Sequence, residues 1–208
     1  EICACLVGSE MCIRDRTITP DEITEEMLSK YQCIYIEGYL LVNEPLVRST
    51  MEKAKKLGLK VALDLSNFNI VNAFKGMLED IIPKYVDILF SNESEAEAFT
   101  GQKAAEAVHT LSDLVEVSLV TLGKEGALIG SHGQFYSVPA EGGKPVDTTG
   151  AGDNFAAGFL YGQSIGASLV QSARIGSMLA GYVIDVVGPE IPYDKWEQIK
   201  LKVKGILA

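Results

Sequence analysis

Short apolar runs separated by stretches with helical spacing constrain this chain more than any other feature of its sequence. Ile34-Tyr35-Ile36, Val61-Ala62-Leu63-Asp64-Leu65, Val86 to Phe90 and Val117 to Thr121 are brief and rich in β-branched and aromatic residues, as buried strands are. Helices are predicted between them. Residues 21–29 have Asp21 as a cap, with Ile23, Met27 and Leu28 at helical spacing, and Glu44 to Leu57 opens on Pro45 and stops at Gly58. Residues 70–82, Glu93 to Phe99 (closed by Gly101) and about 103–113 continue the alternation. Gly126–Gly130 and Gln134–Val138 read as a hairpin around Ser131-His132-Gly133, and helices follow over 151–164, 168–186 and 193–203. Strands that alternate with helices pack as a parallel sheet covered on both faces. The fold class is therefore α/β, with no internal repeat and no low-complexity tract. Ligands in such sheets gather beyond the carboxyl ends of the strands. Asn92 and Thr121 both fall at such ends.

Composition narrows the partners. A chain of 208 residues with 47% hydrophobic residues can bury a full core as one domain. Its net charge of −10, from 18 basic and 28 acidic side chains, argues against nucleic acid or an anionic membrane as a partner. No apolar run reaches the ~18 residues of a membrane span. The start of the chain lacks the basic opening and long apolar core of a signal peptide. A cytoplasmic location is the expectation.

Residues 1–16 stand apart from this pattern. They hold Cys3, Cys5 and Cys12 of the four cysteines, without helical or strand periodicity. No His or further Cys sits at ligand spacing, so a metal cluster is not supported. Cys5 to Arg16 resembles a translated sequencing-adapter artefact, and residues 1–16 are expected to be non-native. The fold is therefore read over residues 17–208. Cys33, within an apolar run, is read as a small buried hydrophobe rather than a catalytic thiol.

The chemistry concentrates in Asp147-Thr148-Thr149-Gly150-Ala151-Gly152-Asp153. Turn-forming Gly142-Gly143-Lys144-Pro145 precede it, and a helix-length apolar segment rich in small residues follows. Glycines at 150 and 152 permit a sharp turn and bring N–H groups close to a ligand. At a helix N-terminus those groups and the helix dipole favour an anion. Asp153 falls in the first turn, beside that anion, where a carboxylate fits best as the acceptor of a proton from an attacking hydroxyl. A plain loop with an acidic helix start is the bland alternative. A dinucleotide fingerprint is weak because Phe155 replaces the third glycine, and a Walker A loop is excluded because no Gly-Lys-Ser/Thr follows.

That seven-residue motif resembles the C-terminal signature of the PfkB carbohydrate kinases, the ribokinase-like family that includes adenosine kinases. Ser91-Asn92-Glu93-Ser94-Glu95 resembles the family's Asn-x-x-Glu motif, and Thr121-Leu122-Gly123-Lys124-Glu125-Gly126 resembles its nucleotide-binding turn. The likeness covers roughly residues 17 to 208. It implies a three-layer sandwich with a mostly parallel sheet. The Gly-Gly substrate motif and the β-lid of the family's N-terminal part are missing here, so the resemblance implies a longer native protein.

The resemblance also implies roles. Asp153 would be the general base, with the N–H groups of Gly150, Ala151 and Gly152 as the anion hole. Asn92 and Glu95 would help hold Mg²⁺ through water. Thr121, Gly123 and Gly126 would contact ATP, and the helix carrying Ser177, Ala180 and Gly181 would wall the adenine. Asp147 and Thr148 would contribute to the monovalent-cation loop of several members, with K⁺ as the ion. His109 and His132 match no motif and are read as a helix-surface and a turn residue. The expected activity is ATP-dependent phosphorylation of a primary hydroxyl. Val61 to Asn69 and Gly181 to Gly188 lean toward adenosine-kinase-type members, hence a nucleoside. A sugar kinase for ribose, fructose or a ketogluconate is the enzyme alternative, and a truncated nucleotide-binding module the non-enzyme one. A homodimer of the full-length protein is compatible with the resemblance.

Overall fold

The computed structural model describes residues 18–142 and 145–208. Cys3, Cys5 and Cys12, with the reading of residues 1–16, lie outside the described residues, as do Gly143 and Lys144. Strands β1 (Cys33–Glu37), β2 (Lys60–Asp64), β3 (Ile88–Asn92), β4 (Val117–Thr121), β5 (Ala127–Ser131) and β6 (Gln134–Val138) form one six-stranded sheet. Its spatial order is the chain order, β1-β2-β3-β4-β5-β6. The first four strands pair in parallel and the last two antiparallel. The expected hairpin is present, and its His132-Gly133 turn has positive φ at both residues, 48° and 74°.

Side chains alternate across the strands and feed two cores. Val61, Leu63, Leu89 and Val120 point into one core with α2 (Glu44–Lys56), α4 (Lys75–Tyr85), α5 (Glu93–Thr100) and α6 (Ala104–Ser112). Ala62, Ile88, Phe90 and Leu119 point the other way, onto Phe155 and Phe159 of α7 (Ala151–Ser164) and Ala173 of α8 (Leu169–Val183). The ring of Phe90 meets that of Phe159 edge to face, with centroids 5.6 Å apart. Helix α9 (Trp196–Leu207) packs on α8 through Ile199, Val203 and Ile206. The result is the expected three-layer sandwich.

Several boundaries differ from the sequence reading. Residues 21–29 do not make one helix. Thr24 caps a short α1 (Glu25–Leu28) by accepting from the Met27 N–H, leaving Pro20–Glu22 as a separate 3-10 turn. Residues 70–82 divide into α3 (Phe68–Ala73) and α4 at Phe74, whose φ of −115° and ψ of 21° break the helix. Because α4 runs on to Tyr85, β3 begins at Ile88 and not Val86. Helix α8 stops at Val183, and α9 starts at Trp196 after a 3-10 turn. No helix among the described residues is long and apolar enough to cross a membrane.

Candidate active site

The carboxyl ends of the parallel strands bring four polar residues into one row. Glu37 pairs in register with Asp64 and Asn92 with Thr121, while Asp64 lies opposite Phe90, two residues before Asn92. Each ends an apolar strand, so each side chain leaves the core where the backbone turns out of the sheet.

Asp64 is the most heavily supported of them. One carboxylate oxygen accepts the Ser66 N–H at 2.6 Å and the other the Tyr35 hydroxyl at 3.3 Å. Ser66 adopts a left-handed φ of 63°, unusual for a residue with a side chain, and its hydroxyl accepts the Gly38 N–H at 2.7 Å. The turns after β1 and β2 are thereby tied together. Burial, then the charges of Glu95 and Asp153, raise the Asp64 carboxyl to about 7, against the Ser66 and Tyr35 hydrogen bonds. Burial and then the Asp153 charge raise Glu37 also. Among the described residues, no Lys or Arg is paired with Glu37, Asp64, Glu95 or Asp153. Neither Glu37 nor Asp64 was singled out as a site residue from sequence. The available signal was that β1, β2 and β3 each end an apolar run on a polar side chain.

Asn92 and Glu95 form a reciprocal cap on α5. The Asn92 side-chain oxygen accepts the Glu95 N–H at 3.0 Å. The Glu95 carboxylate accepts the Asn92 backbone N–H at 2.9 Å and its side-chain amide at 2.6 Å. Glu95 is only 3% exposed, and burial raises its carboxyl while the Asn92 bonds lower it. The pair thus has a structural task, with exposed Asn92 in front and the buried carboxylate behind it.

Asp153 stands exposed in the first turn of α7. Gly150 caps that helix with a left-handed φ of 76°, a conformation glycine adopts without strain. Of the three expected anion-hole donors, the Ala151 N–H already donates to the Thr148 carbonyl at 3.2 Å, whereas those of Gly150 and Gly152 have no partner among the described residues. Nor has that of Asp153, which was not among the expected donors. Asp147 organises the loop before them. It accepts from the Thr149 N–H and hydroxyl and, across the chain, from the Gly188 N–H at 2.9 Å. Those bonds hold its carboxyl below the usual range. Pro189 packs on Gly150, and its carbonyl accepts from the Asn154 amide at 3.4 Å. The segment after α8 therefore closes over the start of α7.

The expected nucleotide contacts divide. Thr121 ends β4 with its hydroxyl on the Ser91 carbonyl at 3.3 Å, and Gly123 is exposed in the following turn. Gly126 faces the β6 backbone, where a Cβ would come within 1.9 Å of the Val138 carbonyl oxygen. Ser177 is spent on the loop after β6, donating to the Pro139 carbonyl at 2.8 Å and accepting the Glu141 N–H at 3.0 Å. A Cβ at Gly181 would strike the Glu141 carbonyl oxygen at 1.8 Å. The small residues of α8 thus admit the chain's own backbone at this point. The cavity of about 500 Å³ lies beside it, lined by Gly181, Tyr182 and Gly142 among others. Burial pushes the Cys33 thiol up to about 11, in keeping with a packing role, and His109 stacks on Phe135 at the surface.

Comparison with known proteins shows the family. The model of the pfkB family carbohydrate kinases matches residues 9–196. The adenosine kinase of Saccharomyces cerevisiae is 31% identical over 194 residues, which is 85% of this chain and 57% of that protein. A probable sugar kinase from Rhizobium etli superposes with a TM-score of 0.84 at 30% identity, covering 91% of this chain and 58% of that one. The adenosine kinase of Sinorhizobium meliloti does so with a TM-score of 0.83 at 29% identity, over 89% and 58%. The chain therefore spans little more than half the length of these relatives.

Proposed function

The chain belongs to the pfkB family of carbohydrate kinases, and we propose that it carries the phosphoryl-transfer centre of an ATP-dependent kinase acting on a primary hydroxyl. The observation that carries this reading is the meeting of Asp153, the unpaired N–H groups of Gly152 and Asp153, and the carboxylates of Glu37, Asp64 and Glu95 beyond the strand ends. In the reaction, the acceptor hydroxyl oxygen attacks the γ-phosphorus while Asp153 takes its proton. The bond from that phosphorus to the β-phosphate oxygen breaks, and ADP leaves. The free N–H groups of Gly152 and Asp153 steady the charge on the transferring group. Asp153, exposed in the first turn of α7, is open to an incoming hydroxyl.

Mg²⁺ fits the residues present. The charges of Asp64 and Glu95 repel each other and both offer oxygen. Among the described residues no three His, Cys, Asp or Glu side chains are grouped to hold a metal directly, which suits an ion held through its own water. Asn92 and Glu95 would hold the ion through water, and it would neutralise charge on the polyphosphate. K⁺ is supported less well, because the Asp147 carboxylate is already engaged by Thr149 and Gly188.

Two aromatic side chains favour a nucleoside as acceptor. Tyr39, just past β1, is 52% exposed, and Phe68, at the start of α3 past β2, is 47% exposed. The Gly38–Ser66 bond ties the two turns together. Exposed rings at a site offer stacking for a planar base, worth ~1–3 kcal/mol per base. A neutral sugar is the second reading, favoured by the likeness to the Rhizobium etli protein. The test is an acceptor panel with ADP release as readout, using a full-length version. Adenosine or another nucleoside should release ADP, and Asp153→Asn should slow that release by about 10²–10⁴-fold. Release with sugars alone would select the second reading. ATP binding with no acceptor-dependent release would reduce the chain to a nucleotide-binding module.

A further inference from the structure

Helices α7 and α8 pack backbone to backbone. A Cβ on Gly158 would come within 2.7 Å of the Gly176 Cα, and one on Gly162 within 2.7 Å of the Ser172 Cα. This antiparallel pair sets the end of α8 beside the start of α7, so the loop entering one helix meets the loop leaving the other. The Val146 and Asp147 N–H groups donate to the Ile184 carbonyl at 2.7 and 3.3 Å. The Gly188 N–H donates to one Asp147 carboxylate oxygen at 2.9 Å, while the other oxygen accepts the Thr149 N–H and hydroxyl. Gly188 reaches that position with a φ of 90°, which glycine adopts without strain. Pro189 then rests on Gly150, where a Cβ would meet the proline Cβ at 2.8 Å. The turn that aims the first N–H groups of α7 is thus gripped from two sides.

The oxygens that a monovalent cation would need at this loop are already in use. A bound K⁺ exchanges its hydration shell for several protein oxygens at once. Here both Asp147 carboxylate oxygens accept hydrogen bonds. So do the carbonyls of Thr148, from the Ala151 N–H, and of Gly150, from the backbone and side-chain amides of Asn154. The Ile184 and Pro189 carbonyls are engaged as well. The Gly188 N–H brings partial positive charge to the Asp147 carboxylate, the service a cation would perform there. With the Thr149 donors it holds that carboxyl below its usual range. We propose that the anion site at α7 is shaped by this Asp147–Gly188 clasp in place of a monovalent cation, with Asp147 as a positioning residue for the free N–H groups of Gly150 and Gly152. Phosphoryl transfer then needs no K⁺. This rests on the phosphotransfer reading above and deepens it.

The experiment is calorimetric titration of Mg·ATP into a full-length version, in potassium chloride and in tetramethylammonium chloride at equal ionic strength. The two wild-type affinities should agree within about threefold. Asp147→Asn keeps an oxygen for Thr149 but turns an amide nitrogen toward Gly188, which cannot accept its N–H. The variant's affinity should fall roughly 10-fold in both salts, the scale of one hydrogen bond to a charged group. Removing a negative charge beside an anion would by itself tighten binding, so a loss reports lost positioning. Hydrogen exchange should find the Gly188 N–H unprotected in the variant, with α7 and α8 still protected. Wild-type binding that tightens in potassium by more than about threefold would restore the cation and overturn the proposal. Unchanged or tighter binding by Asp147→Asn would overturn the role of Asp147, and so would loss of protection throughout α7 and α8, which would make it a residue of the fold alone. Each of these results leaves the phosphotransfer reading standing. A wild-type protein that binds Mg·ATP in neither salt would bring down that reading, and this inference with it.

Discussion

The two ends of the parallel sheet handle the same side chains in opposite ways. At the amino ends of the strands, acids meet cations. Asp87, just before β3, accepts the Val61 N–H at 2.8 Å and the Lys55 ammonium at 2.8 and 2.9 Å, with Lys60 at 3.6 Å. Lys60 also bonds Glu116, just before β4. At the carboxyl ends, Glu37, Asp64, Glu95 and Asp153 crowd together with no Lys or Arg paired to them among the described residues. One end has been finished as structure. The other keeps a charge imbalance that a ligand and its counterion would relieve, which is how functional sites differ from scaffold.

The difference can be broken most forcefully at the matched end. Asp87→Ala removes a charged acceptor from a backbone N–H and two lysines, and should cost about 2–3 kcal/mol in urea unfolding. A loss below ~0.5 kcal/mol would mean that the amino end is not built for stability. The unmatched end should respond to added charge instead. Mg²⁺ at about ten times its dissociation constant should stabilise the wild-type chain by about 1.4 kcal/mol. That gain should shrink when Glu95 is replaced by Gln, as read by thermal melts.

Asp64→Asn comes next, with a sign opposite to that of Asp87. The folded-state pKa of Asp64 is about 7, above the unfolded value of about 3.9. The folded chain therefore binds more protons between those values, and its stability falls as pH rises through that window. The Asn amide oxygen can still accept from the Ser66 N–H while its amide nitrogen donates to the Tyr35 hydroxyl, so Asp64→Asn should raise stability on the order of 1 kcal/mol at pH 8 and change little near pH 4. Urea unfolding at the two pH values reads this directly. A variant less stable than the wild type at pH 8 would show that the charge at Asp64 is compensated after all. Smallest of all should be Lys60→Ala. Its half-exposed ion pairs are worth less than about 0.5 kcal/mol, and raised salt should erase what little they contribute.

Much of this contrast could be read before the structure, and some of it could not. The alternation of strands and helices gave the sandwich, because the continuous apolar run Val61–Leu63, buried on both faces, and the helical spacing in Glu44–Leu57 are local properties. Gly150 and Asp153 could be placed at the start of a helix because turn chemistry and a following apolar segment are adjacent in sequence. Glu37 and Asp64 were invisible as a pair, since register between β1 and β2 joins residues separated by a whole helix. The reading of Ser177 and Gly181 shows the opposite failure. Small residues signal close approach without naming what approaches, and here it is the backbone of residues 139–142. The break at Phe74 was missed because the apolar spacing on its two sides looks continuous.

The order of the strands has a consequence for how the molecule is made. Among the six described strands spatial order equals chain order, so each adds to the margin left by the one before it and none of the six must be threaded between two others. Assembly can follow synthesis from the ribosome, one hairpin or crossover at a time. The helices over the second face come last, after residue 150. Until they emerge, Ile88, Phe90, Leu119 and Ile129 have no cover from α7 and α8. A nascent chain halted there would be greasy on one side and an obvious client for a chaperone.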